Sequence, residues 1–116
     1  MNDTVRGFWE VASCDEALGE AVNIGSNFEV SIGETAEMIV KIMNADVEVV
    51  TDKQRIRPEK SEVRRLCADV SKAKRLFGWK PEYGGKDGFR KGLTLTVEWF
   101  LDARNRKMYK TGGYVI

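Results

Sequence analysis

The chain has 116 residues, the length of one compact domain, and its 42% hydrophobic and 32% charged residues are the composition of an ordinary soluble globular protein. Nineteen Lys and Arg against eighteen Asp and Glu leave a formal charge of +1, so no global field draws the chain to nucleic acid or to an anionic membrane. No apolar run is long enough to span a bilayer, and the first residues have no basic stretch followed by an apolar core, so neither a membrane span nor a secretory signal is expected and a cytoplasmic location is.

Histidine is absent, which removes His-based triads, His-ligated zinc and His proton shuttles. Cys14 and Cys67 belong to no CxxC pair and read as two reduced, half-buried thiols. No metal site is expected.

In chain order, Asn2 or Asp3 can cap a first helix running to about Leu18, with Val5, Phe8, Trp9 and Ala12 at helical spacing. Residues 21–25 are short and apolar, end at a Gly-Ser-Asn turn, and suit a buried strand. Ser31 and Glu34 form a capping box, and the helix after it places Ile32, Ala36, Ile39, Val40 and Met43 on one stripe, with Asn44 as its end. Residues 47–51 alternate and are β-branched, as a second strand requires.

Residues 52–62 are polar, contain Pro58 and predict an irregular loop, after which 63–68 suit a short strand. Asp69 caps a two-turn helix over 70–77, closed by Gly78, with Pro81 beyond. Asp87 caps a last helix over 88–103, whose inner stripe is Phe89, Leu93, Val97 and Phe100. Four helices and two or three short strands predict an α+β, or small α/β, module and not a complete doubly wound sheet. The expected division is one domain over residues 1–103 and a tail over 104–116, loose or lying on a neighbouring surface.

Two kinds of chemistry are missing. Dinucleotide binding needs a glycine-rich turn between a strand and a helix N-terminus. The cluster at Gly84, Gly85 and Gly88 has no strand before it and reads as a turn. A tyrosine followed four residues later by lysine, the acid/base pair of short-chain dehydrogenases, does not occur: Tyr83 is followed by Asp87 and Tyr109 by Gly113. No catalytic residue is therefore assigned.

The informative stretch is 55–81. Arg55, Arg57, Lys60, Arg64 and Arg65 concentrate positive charge in a loop, interrupted by Glu59 and Glu62. Guanidinium forks suit phosphate oxygens, and a carboxylate can accept from two vicinal ribose hydroxyls, so the loop could hold a nucleotide diphosphate. A solvated loop with weak internal ion pairs is the other reading of the same charges.

The ordered motifs decide between them by resemblance. Arg57-Pro58-x-x-Ser61-Glu62-Val63, then Ala68-Asp69-x-Ser71-Lys72-Ala73-Lys74-x-Leu76-x-Gly78-Trp79-x-Pro81, resemble the C-terminal region of nucleotide-sugar epimerases and 4,6-dehydratases of the extended short-chain dehydrogenase family. Residues 88–100 are similar to that family's last helix, and Val22 to Ser26 with the Ser31 helix to its strand–helix unit. The closing Tyr109-Lys110-Thr111-Gly112-Gly113-Tyr114-Val115-Ile116 suggests the branch acting on UDP-N-acetylamino sugars.

The resemblance implies a smaller C-terminal lobe that binds a UDP- or dTDP-sugar, with Arg57 near the diphosphate and Glu62 at the ribose. It implies that NAD and the Tyr–Lys pair lie on a separate Rossmann domain, which this chain lacks and which is its natural partner. No cofactor is then bound by this chain, and the chain is inactive alone. A stand-alone nucleotide- or protein-binding module derived from the family is the alternative. Exposure of Phe8, Trp9 or Trp99 in the isolated chain is expected to favour a homodimer.

Overall fold

The computed structural model describes residues 1–50 and 65–108. They form α1 (Asn2–Ala12), a 3-10 turn (Asp15–Ala17), α2 (Ile32–Met43), α3 (Ser71–Phe77), α4 (Gly85–Leu101) and α5 (Ala103–Lys107), joined by extended connections.

No strand occurs among the described residues, so the α+β expectation is corrected to a helical architecture. The apolar segment at 21–25, the β-branched residues 47–50 and residues 65–68 were the expected strands, and each runs without ladder partners among the described residues. A strand exists only where a neighbour takes its N–H and C=O groups, and local propensity does not supply that neighbour. Gly25 shows the substitution directly: its carbonyl accepts from the Trp79 indole Nε1 at 2.9 Å. An added Cβ on Gly25 would lie 3.2 Å from Ala68 Cβ, so 21–25 and 65–68 pass closely as two extended stretches.

Helix starts and stops follow the local chemistry more closely. The Ser31 hydroxyl accepts from the Glu34 N–H at 3.1 Å, while the Ser31 N–H donates to Glu34 Oε2 at 2.9 Å, completing the capping box. Asn44 ends α2 in the left-handed region at φ 48°. Gly78 ends α3 at φ 69°, a conformation that costs a residue without Cβ nothing. Asp69, the expected cap of α3, lies one residue before the observed N-cap Val70, and its Oδ1 accepts from the Ser71 N–H at 2.9 Å.

Other boundaries differ from expectation: the N-cap of α1 is Met1, not Asn2 or Asp3. The first helix stops at Ala12 and resumes as the 3-10 turn. α4 starts at Gly85 with Gly84 as its N-cap, so Asp87 lies in the first turn and makes no cap hydrogen bond. Asp102 breaks the last helix and caps α5 by accepting from the Arg104 N–H at 2.8 Å, so helix replaces the first part of the expected tail.

Among the described residues the buried apolar side chains are Ala17, Ala73, Trp79 and Val97. The expected α4 stripe is inner surface in part: Val97 is buried with Phe89 and Leu93 half-buried beside it, whereas Phe100 is 39% exposed. The apolar stripe of α1 faces solvent: Val5, Phe8, Trp9 and Ala12 are exposed, as was expected of Phe8 and Trp9. The face that α1 packs inward carries Asp3, Arg6, Gly7 and Glu10. Gly7 permits this approach, since a Cβ there would lie 2.7 Å from Ile24 and 3.2 Å from Trp79. Cys14 is half-buried, whereas Cys67 is exposed.

Candidate functional site

Residues 28–31 lead into α2 where α2 meets α4, and the Phe28 ring sits 5.9 Å from that of Phe89. This anchor leaves the neighbouring side chains to face outward. On one side an open cavity of about 420 Å³ lies between residues 28–31, Glu34 and the pair Arg65 and Leu66. On the other, a cavity of about 470 Å³ opens between α2 and α4, with Lys41, Lys86 and Arg90 beside Glu34, Glu37 and Asp87.

Arg65 marks the first cavity. Its Nε donates to Glu29 Oε1 at 3.1 Å and its Nη2 to Glu29 Oε2, a two-point fork across 36 positions of sequence. The hydrogen bonds and charge of Arg65 lower the Glu29 pKa, and Glu29 in turn raises that of Arg65. Arg65 is 81% exposed, so the pair contributes little to stability and leaves the guanidinium accessible. Glu34, at the same rim, is committed elsewhere: the Ser31 N–H and hydroxyl lower its pKa, with a smaller effect of Lys86. Its carboxylate belongs to the helix cap.

Arg57 and Glu62, the two expected substrate-binding residues, lie outside the described residues. Arg65 belongs to the same cluster of positive charge and borders the cavity. Glu29 carried no signal in the sequence, because an ion pair formed across distant positions leaves no local pattern.

The dinucleotide expectation can be compared with the geometry at Gly84 and Gly88. A pyrophosphate site needs glycine faces open to the ligand. Here a Cβ on Gly84 would lie 2.7 Å from Pro81 Cγ, and one on Gly88 2.6 Å from the Tyr83 carbonyl carbon. Gly84 and Gly88 serve internal packing, while the face of Gly85 is open. The Lys91 ammonium sits 5.2 Å from the centre of the Tyr83 ring and donates to Glu82 at 2.8 Å. Among the described residues no cluster of three or more Cys, Asp or Glu side chains could hold a metal ion, and no helix is long and apolar enough to cross a membrane.

Comparison with known proteins identifies the class. Residues 1–92 match the GDP-mannose 4,6 dehydratase family, and the chain belongs to it. Its named relatives are nucleotide-sugar enzymes. They include UDP-glucuronic acid decarboxylase 6 of Arabidopsis thaliana, 30% identical over 86% of this chain and 26% of that protein. dTDP-glucose 4,6-dehydratase 1 of Escherichia coli K12 is 29% identical over 98% of this chain and 32% of its own length. UDP-glucuronate 4-epimerase of Thermodesulfobacterium geofontis is 28% identical over 85% and 28%. The chain thus spans about a quarter to a third of the length of these relatives. No solved structure matches it significantly.

Proposed function

We propose that this chain is the nucleotide-sugar-binding part of an NAD-dependent epimerase or 4,6-dehydratase, placed in the cytoplasm, with the cofactor and the acid/base pair on a Rossmann portion outside it. The observation that carries this reading is the open cavity beside Arg65, an exposed guanidinium held ready by Glu29. The names of the relatives support the ligand class: each acts on a sugar joined to UDP or dTDP. Arg57 is assigned to the diphosphate, Glu62 to the ribose, and Arg65 to the rim where the phosphates enter.

In this role the chain supplies affinity and orientation, which raise rate by positioning the sugar. Without a redox cofactor it converts nothing alone. Oxidation at C4 with hydride return, and loss of water across C5–C6 in the dehydratase case, belong to the Rossmann portion.

Titration of the chain with UDP, dTDP and GDP, followed by NMR, tests the reading. Saturable shifts at Arg65, Glu29 and residues 55–62 are expected with UDP or dTDP. Turnover of a UDP- or dTDP-sugar by the purified chain, or the absence of any saturable shift, would overturn it.

A further inference from the structure

α2 and α4 face each other with ionic side chains at helical spacing. On α2, Glu37 and Lys41 are four residues apart; on α4, so are Lys86 and Arg90, with Asp87 between them. These five side chains border the cavity of about 470 Å³. The other two carboxylates at its edge are engaged, Glu29 with Arg65 and Glu34 with Ser31. Lys86 acts on Glu34 through its charge, the smallest of the effects that lower the Glu34 pKa. Among the described residues, the side chains of Lys41, Lys86, Arg90, Glu37 and Asp87 form no hydrogen bond or ion pair. Elsewhere on α4 and on α5 such pairs close: Lys91 meets Glu82 at 2.8 Å and Arg104 meets Asp102 at 2.7 Å. Three cations and two carboxylates thus stand unpaired around one opening.

We propose that the cavity between α2 and α4 binds a sugar phosphate that is not joined to a nucleotide. Each part of such a ligand has a counterpart. Lys41, Lys86 and Arg90 can donate to the phosphate oxygens. Glu37 and Asp87 are acceptors only, and they suit the sugar hydroxyls. Phe28, Val30 and Met38 are half-buried and give an apolar wall for the C–H face of the ring. The volume is that of a small-molecule site. Inorganic phosphate would meet the two carboxylates with nothing to donate to them, and a neutral sugar would leave the three cations unmatched. Arg65 borders the other cavity and not this one, so the inference stands apart from the nucleotide-sugar reading.

NMR titration of the 116-residue chain with glucose 6-phosphate tests it, with inorganic phosphate, glucose and UMP as comparisons. Saturable shifts at residues 37–41 and 86–90 are expected, with a Kd of about 1 mM or below for glucose 6-phosphate and weaker binding of the other three. Arg90→Glu should weaken glucose 6-phosphate at least about tenfold, as for a lost charge-assisted hydrogen bond, and leave the UDP response at Arg65 in place. Lys72→Gln, at a lysine outside the cavity, should leave the affinity unchanged. Glu37→Gln should narrow the preference for glucose 6-phosphate over inorganic phosphate, which a merely attractive surface would not show. If Arg90→Glu loses helix in circular dichroism, Lys86→Gln replaces it with the same direction of effect. No saturable shift, equal binding of inorganic phosphate, tighter binding of UMP, or an affinity unmoved by Arg90→Glu or Lys86→Gln overturns the proposal.

Discussion

Arg6 and Arg65 both pair with carboxylates, and the regions around them differ in almost everything else. Arg6 reaches from α1 to the 79–83 segment, where it meets the Trp79 ring, the Lys80 carbonyl, Asp3 and Glu10. Trp79 beneath it is 3% exposed. Arg65 meets only Glu29 among the hydrogen bonds of the described residues and stands 81% exposed at the mouth of an open cavity. The first region holds elements together through several contacts around the buried Trp79. The second holds a charge in place without using it up. Stability and ligand binding should therefore separate on substitution.

The largest effect should come from the first region. Trp79→Ala removes the main buried aromatic, the hydrogen bond to the Gly25 carbonyl and the surface on which Arg6 stacks. A loss of about 3–5 kcal/mol in urea denaturation is expected, enough to unfold so small a core. A loss under about 1 kcal/mol would erase the distinction between the regions.

Next comes binding. Arg57→Ala should weaken UDP affinity by about 1.5–3 kcal/mol in calorimetric titration, with the urea midpoint unchanged. Unchanged affinity would remove Arg57 from the site, and a shifted midpoint would mean that its loop is structural.

A smaller effect is expected at the start of α2. Ser31→Ala leaves the Glu34 N–H without its acceptor and should cost about 1 kcal/mol of stability. The same cap gives a pH signature. The folded-state pKa of Glu34 is depressed, so its contribution is complete above the ordinary carboxylate range and is lost as pH falls through the depressed value. Between about pH 5 and pH 3 the thermal midpoint of Glu34→Gln should fall less steeply than that of the parent chain. Parallel curves would show the cap to be unimportant.

The smallest change in stability belongs to the second region. Glu29→Gln breaks an exposed pair, so the denaturation midpoint should not move measurably. Its effect should appear in the mobility of the Arg65 side chain, read from Nε–Hε relaxation, and in UDP affinity to a lesser degree than for Arg57→Ala. A midpoint shift as large as that of Ser31→Ala would place Glu29 among the structural residues.

These contrasts track how far information travels along the chain. The capping box at Ser31, the left-handed ends at Asn44 and Gly78, and the Val97 stripe were readable because each depends on residues within about one or two helical turns. The strands expected at 21–25, 47–51 and 63–68 were not found among the described residues, because strand pairing depends on a partner whose presence no local window reports. The α1 stripe was legible as a stripe, and the expected exposure of Phe8 and Trp9 is observed. Its orientation was decided by Asp3 and Arg6 finding partners at residues 80, 82 and 83. At the candidate site, the positive charge near Arg65 was legible by composition, while Glu29 was visible only once two distant positions met.

The sequence by itself determined the family, the absence of the dehydrogenase acid/base pair, both ends of α2 and the Gly78 end of α3. All of these reside in ordered motifs and short-range hydrogen bonding. The tertiary structure decided which face of α1 meets water, which arginine stays open to a ligand and what surrounds the glycines of α4. Those outcomes depend on partners far apart in the chain, and burial and charge pairing between such residues exist only after folding brings them within a few ångströms.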